Sequence, residues 1–319
     1  MERLDGNAAL PPKYCGGIVA LGNFDGFHSG HQAVVGRAVA LARAKRVPVL
    51  VATFDPHPVR YFKPDTPPFR LTSLDQREQL FTQAGAQAMI VFPFNAALAA
   101  LSAEEFVAQR LAGLAGVVTG EDFTFGNRKS GNVTVLAELG ARYGFFTEAV
   151  GAVGDGGEVI SSSRIRRALA EGDCATATHL LTRPYTIQGH VQHGAKLGRT
   201  IGYPTANLDM GSYLRPRYGI FAVRVRLADG RVIEGAANLG IRPSFDPPKE
   251  LLEAYLFDFD ELLYGQMIAV ELIAFLRPEA KYETIEALTA QMDKDCAEAR
   301  RALLAYAELP PGGLKRPAR

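Results

Sequence analysis

Three things are scarce in this sequence. Cysteine is the first: only Cys15, Cys174 and Cys296 occur in 319 residues. Their spacing fits neither a zinc-ligand set nor a disulfide framework, so a cysteine-stapled secreted scaffold is excluded and a reducing, cytoplasmic compartment is expected. Net charge is the second: 35 Lys and Arg against 34 Asp and Glu leave +1. Bulk charge therefore argues for neither nucleic acid nor a membrane surface as partner. Long apolar runs are the third. None approaches membrane-spanning length, and Met1 to Lys13 lacks the apolar stretch of a signal peptide. Hydrophobic residues still make up 47% of the chain, ample for a buried core, and 319 residues are natural for two domains.

The most informative stretch is Leu21-Gly22-Asn23-Phe24-Asp25-Gly26-Phe27-His28-Ser29-Gly30-His31. An apolar run from Gly17 feeds it and helix formers from Gln32 to Lys45 follow, so it reads as strand, glycine-rich turn and helix start. Glycines let a ligand approach the backbone, and free N–H groups at a helix start attract phosphate. His28 and His31, three apart, can share one side of the first turn and hydrogen-bond a phosphorus centre as charge builds. Glycines and histidines also occur in helix-entry turns that bind nothing. The longer string Gly-x-Phe-Asp-x-x-His-x-Gly-His is more specific and resembles the signature of nucleotidyltransferases that transfer AMP or CMP.

Further along, Val47 to Phe54, Met89 to Phe92 and Ala115 to Thr119 read as buried strands. Ser73-x-x-Gln76 and Ser102-x-x-Glu105 read as capping boxes that open helices. Strands alternating with helices imply a parallel sheet with helices on both faces and ligands at the strand carboxyl ends. The turns at Gly22 and at Gly120-Glu121-Asp122-Phe123 both fall there. His57, between two prolines, is either a ligand contact or a loop residue. Asn127-Arg128-Lys129 meets phosphate or solvent. Ser161-Ser162-Ser163 and Arg166 either cap a helix from Ile165 to Glu171 or hold a triphosphate.

After Thr182 the pattern changes. Phe221, Val223, Val225 and Leu227 alternate with wetter residues, Asp229-Gly230 predicts a type I′ hairpin, and Val232 starts a return strand. Leu251 to Phe259 and Met267 to Leu276 add two strands, and Ile285, Leu288, Met292 and Ala299 trace the apolar face of a closing helix. A small antiparallel barrel is expected. Gly194-Ala195-Lys196-Leu197-Gly198-Arg199-Thr200 looks superficially like a P-loop but is a residue short, with Arg in place of Lys. A glycine-rich flap over phosphates stays open. Pro204-Thr205-Ala206-Asn207 is a turn, or its hydroxyl and amide oxygens complete an octahedral Mg²⁺ shell.

Taken together these motifs resemble the bacterial bifunctional riboflavin kinase and FAD synthetase (FMN adenylyltransferase) family over nearly the whole chain. The resemblance rests on the histidine stretch, Thr53 to Pro58, Gly120 to Phe123 and the serine run in the first half. In the second it rests on Gly198 to Leu208, Asn238 to Ser244 and Phe275 to Glu279. It implies a Rossmann-like nucleotidyltransferase domain with a parallel sheet at 1–182 and a flavokinase-type antiparallel barrel closed by a helix at 183–308. A disordered tail is expected at 309–319. It implies Mg²⁺ with ATP as cofactor and riboflavin, FMN, FAD and ATP as partners; oligomeric assembly stays open.

The resemblance also implies roles at matching positions. His28, His31 and Arg166 serve adenylyl transfer, with Gly22, Asn23, Phe24, Asp25, Gly26, Asp122, Ser161 and Ser162 around the nucleotide. Lys196 and Gly198 face the second nucleotide, Thr205 and Asn207 hold its metal, and Glu253 is the general base. Four departures stand out: Ser163 and Ser244 replace Thr, Tyr255 replaces a common His, and Asp260 to Gly265 lacks the usual Gly-Asp. One alternative is a single-activity adenylyltransferase whose barrel has lost turnover, against which intact Thr205, Asn207 and Glu253 speak; the other is a non-catalytic flavin or nucleotide sensor, against which intact His28, His31 and Glu253 speak.

Overall fold

The structure is a computed structural model and describes residues 1–194, 198, 201–242 and 249–308, with only the backbone at 242 and 249. Lys196, Arg199, Thr200, Ser244 and the 309–319 tail lie outside the described residues. The chain divides into two compact units. One comprises Met1–Pro67 and Leu74–Ser161; the other comprises Pro68–Ser73 and everything from Ser162.

The first unit alternates strands and helices from its start: β1 (Glu2–Asp5), β2 (Ile18–Leu21), α1 (Ser29–Lys45), β3 (Val49–Asp55) and α2 (Pro58–Phe62). Then come α3 (Leu74–Gln83), β4 (Ala88–Pro93), α4 (Ala96–Ala100), α5 (Ala103–Arg110), β5 (Gly116–Gly120), α6 (Val133–Tyr143) and β6 (Phe146–Val150). A small ribbon of β7 (Gly154–Asp155) and β8 (Glu158–Val159) closes it. The six main strands are all parallel, in the order β1-β4-β3-β2-β5-β6.

Strand periodicity builds two cores on this sheet. Ile18 and Ala20 of β2 pack with Val34, Val35 and Ala38 of α1 and Phe81 of α3. Val19 and Leu21 pack on the other face with Phe106 and Val107 of α5 and Leu136 and Leu139 of α6. The charged strand β1 is one edge of the sheet and had no strand signature in the sequence. The Ser102–Glu105 capping box forms as expected, with both reciprocal bonds present.

The second unit begins with α7 (Ser162–Glu171) and α8 (Cys174–Leu181). Its strands are β9 (Tyr185–His190), β10 (Thr205–Asp209), β11 (Gly219–Arg226), β12 (Val232–Arg242), β13 (Lys249–Leu256) and β14 (Met267–Arg277), followed by α9 (Ile285–Ala307). These strands form one antiparallel sheet in the order β10-β13-β12-β11-β14-β9. Its two edges approach each other where Gln192 N donates to the Asn207 carbonyl at 2.8 Å, curling the sheet into a small barrel. Thr284 caps α9 through its hydroxyl.

Three local expectations are corrected. The β11–β12 turn is not type I′, because Asp229 does not adopt positive φ. Instead Gly230 N bonds Leu227 O at 3.0 Å and Gly230 takes φ +90°, giving a three-residue loop with a glycine bulge. Strand β13 stops at Leu256 rather than Phe259, since Asp258 at φ +55° turns the chain out of the sheet. Ile285 is not on the packed face of α9. It occupies the first helical position and is 56% exposed, whereas Ala299 and Leu303 seal against Phe257 and Ile273.

Candidate functional sites

In the first unit the chain leaves β2 toward β3 and β4 on one side and later crosses to β5 on the other. The strand order thus reverses between β2 and β5, where a parallel sheet opens a crevice at its carboxyl ends. The Gly22 turn follows β2 and the Gly120 turn follows β5. Gly22 N still bonds Ala52 O at 3.1 Å, and then the backbone departs from the sheet. It does so through left-handed Phe24, Gly26 and Phe27, at φ +50°, +87° and +43°. Non-glycine residues in that region cost of order 1 kcal/mol each and persist only where packing holds them. Here both phenylalanines are buried and meet the ring of Phe81 edge-on, at 5.8 and 5.1 Å.

The helix begins earlier than the sequence pattern placed it, at Ser29. His28 is therefore its N-cap, with Nδ1 accepting from His31 N at 3.4 Å. The two imidazoles stack at 3.6 Å, and His31 also meets Phe24 edge-on at 5.4 Å. A Cβ at Gly30 would stand 3.2 Å from the His28 ring and 3.6 Å from the Ile160 carbonyl, so the turn is tightly packed against that ring. That contact also brings the residue before Ser161 beside the histidine turn. Asp25 is buried under the turn. Asp122 lies across from the Gly120 Cα, where a Cβ would be 2.9 Å from its Oδ1.

Ser162 and Arg166 open α7 and belong to the second unit, where Arg166 Nε donates to Phe69 O at 2.9 Å. His57 caps α2 through Nδ1, which accepts from Val59 N at 3.2 Å. Beyond β3 and β4 the sequence reading missed an aromatic rim. Tyr61, Phe62 and Phe94 meet edge-on at 5.1–5.7 Å, and Phe62 is 65% exposed. Its signal was the Tyr61-Phe62 pair, too short to carry a period.

In the second unit the strand register assembles the site. Asn207, Glu253 and Asn238 are direct cross-strand partners on β10, β13 and β12, so they form one polar row on one sheet face. Thr205, Tyr255 and Ala236 form the next row on that face. The alternate residues Leu208, Leu252 and Leu239 point into the barrel core. Both rows line a cavity of about 400 Å³ that α9 roofs with Leu288, Met292 and Cys296. Gly198 also lines it, and a Cβ there would collide with the Tyr203 carbonyl.

Polar groups around the cavity are fixed in place. Arg277 grips Asp295 with two bonds, of 2.7 and 2.6 Å, and Gln291 adds a third to the same carboxylate. Tyr203 donates to Asp293 at 2.5 Å, which pushes its phenol well above the usual range. Burial, then the Asp295 charge, pushes the Cys296 thiol up to about 11. Asn238 Nδ2 donates to Glu279 at 3.2 Å.

The buried amide oxygens of Asn207 and Asn238 have no hydrogen-bond partner among the described residues. Buried acceptors are normally satisfied, so they await a ligand or water. Asn207 Oδ1 and the Thr205 hydroxyl one row away are hard oxygen donors of the kind Mg²⁺ selects. Among the described residues no three His, Cys, Asp or Glu side chains converge on a metal position. Mg²⁺ sites commonly keep several waters and add substrate phosphate oxygens to one or two protein donors. Among the described residues no helix is long and apolar enough to cross a membrane.

Comparison with known proteins matches both units. The profile of the FAD synthetase family matches residues 11–164, and that of the riboflavin kinase family matches 181–303. A bifunctional riboflavin kinase/FMN adenylyltransferase from Haemophilus influenzae is 38% identical over 288 residues, which is 89% of this chain and 94% of that protein. One from Bacillus subtilis is 39% identical over 292 residues, covering 89% and 92%. A solved structure titled macrolide-efflux protein, from Streptococcus pneumoniae, superposes with a TM-score of 0.83 at 29% identity, covering 94% of this chain and 99% of that one.

Proposed function

The chain belongs to the bifunctional riboflavin kinase/FMN adenylyltransferase family, and from that premise we propose how its residues divide the two reactions. The enzyme phosphorylates riboflavin to FMN with ATP, then adenylylates FMN to FAD with release of pyrophosphate. The N-terminal half carries the adenylyltransferase and the C-terminal half the kinase.

Phosphoryl transfer takes place in the cavity under α9. The observation that carries this reading is the Asn207–Glu253–Asn238 row, which sets a carboxylate between two amides on the wall of the cavity. Glu253 accepts the proton of the ribityl 5′-hydroxyl as that oxygen bonds to the γ-phosphorus and the bond to the β,γ-bridging oxygen breaks, releasing ADP. Gly198 and Lys196 bind the phosphates of that ATP. Thr205 and Asn207 would hold Mg²⁺, which would supply charge stabilisation at the phosphate oxygens. The apolar roof of Leu288 and Met292 receives the flavin ring.

Adenylyl transfer takes place at the Gly22 turn. The FMN phosphate is ionised at neutral pH, so the site needs donors and order more than a base. His28 and His31 donate to the ATP phosphates, and backbone N–H groups of the turn and helix start bind the same oxygens. Gly22, Asn23, Phe24, Asp25, Gly26 and Asp122 surround the nucleotide, and Ser161, Ser162 and Arg166 assist through the family's motif. The Tyr61, Phe62 and Phe94 rim offers flat faces to the flavin.

We place the activity in the cytoplasm, where thiols stay reduced; Cys15, Cys174 and Cys296 are all free. We draw the boundary between the two activities at residue 182, just inside the riboflavin kinase profile at 181–303, whereas the compact units divide after Ser161. The test is direct. Riboflavin and Mg²⁺-ATP are incubated with the enzyme and the flavins resolved by chromatography, with and without a chelator. FMN followed by FAD is expected, and chelation should stop FMN formation. FMN formation that survives complete chelation contradicts the metal assignment.

A further inference from the structure

The first unit holds a buried cation that the mechanism has not used. Arg77, on α3, is only 3% exposed. Its Nη1 donates to the Asn23 carbonyl at 3.1 Å and to Thr53 Oγ1 at 2.8 Å, and Nη2 lies 3.8 Å from Asp55 Oδ1. Thr53, wholly buried at the end of β3, donates its own hydroxyl to the same Asn23 carbonyl at 2.8 Å.

A guanidinium is costly to bury, and a well-packed apolar side chain often serves stability better. The positions of its partners explain the expense. The carbonyl it clamps belongs to the residue where the backbone leaves β2 for the histidine turn. Phe81 stands one helical turn beyond Arg77 on α3 and packs on both left-handed phenylalanines of that turn. One face of α3 therefore grips the turn twice, by charge at its entry and by ring packing at its middle. An apolar residue at 77 would leave the Asn23 carbonyl with Thr53 alone and would let the strained segment relax.

We propose that Arg77 is the positioning residue of the adenylyl-transfer site, holding through Asn23 the turn that presents His28 and His31. This rests on the reading of that turn as the adenylyl-transfer site. Arg77 touches no substrate, so its loss acts on geometry. A displacement of about 1 Å at reacting groups costs on the order of 100-fold in rate.

The experiment compares Arg77→Met, Arg77→Lys and Thr53→Val with the His28→Ala/His31→Ala double variant in the full-length enzyme. FAD formation from FMN, riboflavin phosphorylation and thermal unfolding are measured on each. Arg77→Met should lower kcat for FAD formation by roughly 100-fold with KM for ATP changed by less than about three-fold. Arg77→Lys should recover part of that loss, because an ammonium reaches one acceptor but lacks the fork. Thr53→Val should lower kcat in the same selective way. Its effect should be less than additive with Arg77→Lys, since both act on one carbonyl. Riboflavin phosphorylation should be unchanged throughout.

Equal loss of kcat and gain in KM, or a kcat for FAD formation close to the parental one in Arg77→Lys and Thr53→Val alike, overturns the proposal. The two latter variants decide the matter should Arg77→Met fail to fold. If the double histidine variant keeps its FAD-forming rate, the reading of the turn itself is wrong. If it loses that rate while the Arg77 and Thr53 variants keep theirs, only the role of Arg77 falls.

Discussion

His28 holds two positions at once, and replacing it with Asn rather than Ala separates them. Its Nδ1 caps α1 by accepting from His31 N, and its ring stacks on His31 at 3.6 Å inside the turn. Ala removes both cap and ring. Loss of an N-cap acceptor costs about 1 kcal/mol. For a unit of roughly 150 residues that lowers the unfolding midpoint by about 2–4 °C. Asn keeps a cap acceptor but brings no imidazole. Both variants should lose FAD formation by about 100- to 1000-fold, the usual effect of deleting one preorganised donor at a charge-developing centre. Only His28→Ala should show the lower midpoint. Calorimetry of the first transition and chromatography of FMN-to-FAD conversion read the two effects independently. A His28→Asn enzyme that makes FAD at the parental rate would show that the imidazole is a helix cap and nothing more.

Three further outcomes are expected. Burial pushes the Glu250 carboxyl up, but the bonds from Tyr218 and Arg215 outweigh it and hold it below the usual range. A depressed carboxylate stabilises the fold above its unfolded pKa and loses that contribution as pH falls through the folded value. Glu250→Gln should therefore flatten the decline in thermal stability of the second unit below pH 4.5, and an unaltered acid limb contradicts the pairing. With its thiol pushed up to about 11, Cys296 should resist alkylation at pH 8. Only on the order of one thiol in a thousand is ionised there, so exposed Cys15 should be labelled first by mass spectrometry. Cys296 reacting as fast as Cys15 would refute that. A fragment from Arg183 should phosphorylate riboflavin and make no FAD. One from Ser162 should do the same with a higher midpoint, because Leu169 O accepts from Arg217 N and Gly172 packs on Phe275. FAD formation by either folded fragment contradicts the division.

Much of this was legible because it is local. The apolar run into a glycine-rich turn marks β2 and its helix, and the Ser102–Glu105 spacing marks α5. The alternation from Phe221 marks β11. What was not legible depends on contacts distant in sequence. Asn207, Glu253 and Asn238 become one row only through the register of three strands. Arg77 reads as an ordinary charged position of a polar helix until the Asn23 carbonyl is placed against it. The start of α1 was read late because the cap is a histidine, not one of the usual Ser, Thr, Asp or Asn residues. The Asp229-Gly230 pair promised a two-residue turn, but the ladder continues one residue less far, and Gly230 alone takes the left-handed bulge.

The claim at the centre is that two separate sets of residues run the two reactions, and crossed variants test it in one assay. Glu253→Gln should lose riboflavin phosphorylation by roughly 100- to 10,000-fold yet convert added FMN to FAD at the parental rate. His28→Ala/His31→Ala should turn riboflavin into FMN and stop there. Mixed with riboflavin and Mg²⁺-ATP, the second variant supplies FMN to the first and FAD should accumulate. Loss of both activities in either folded variant, or a mixture that forms FMN but no FAD, would contradict the assignment of each reaction to its own residues.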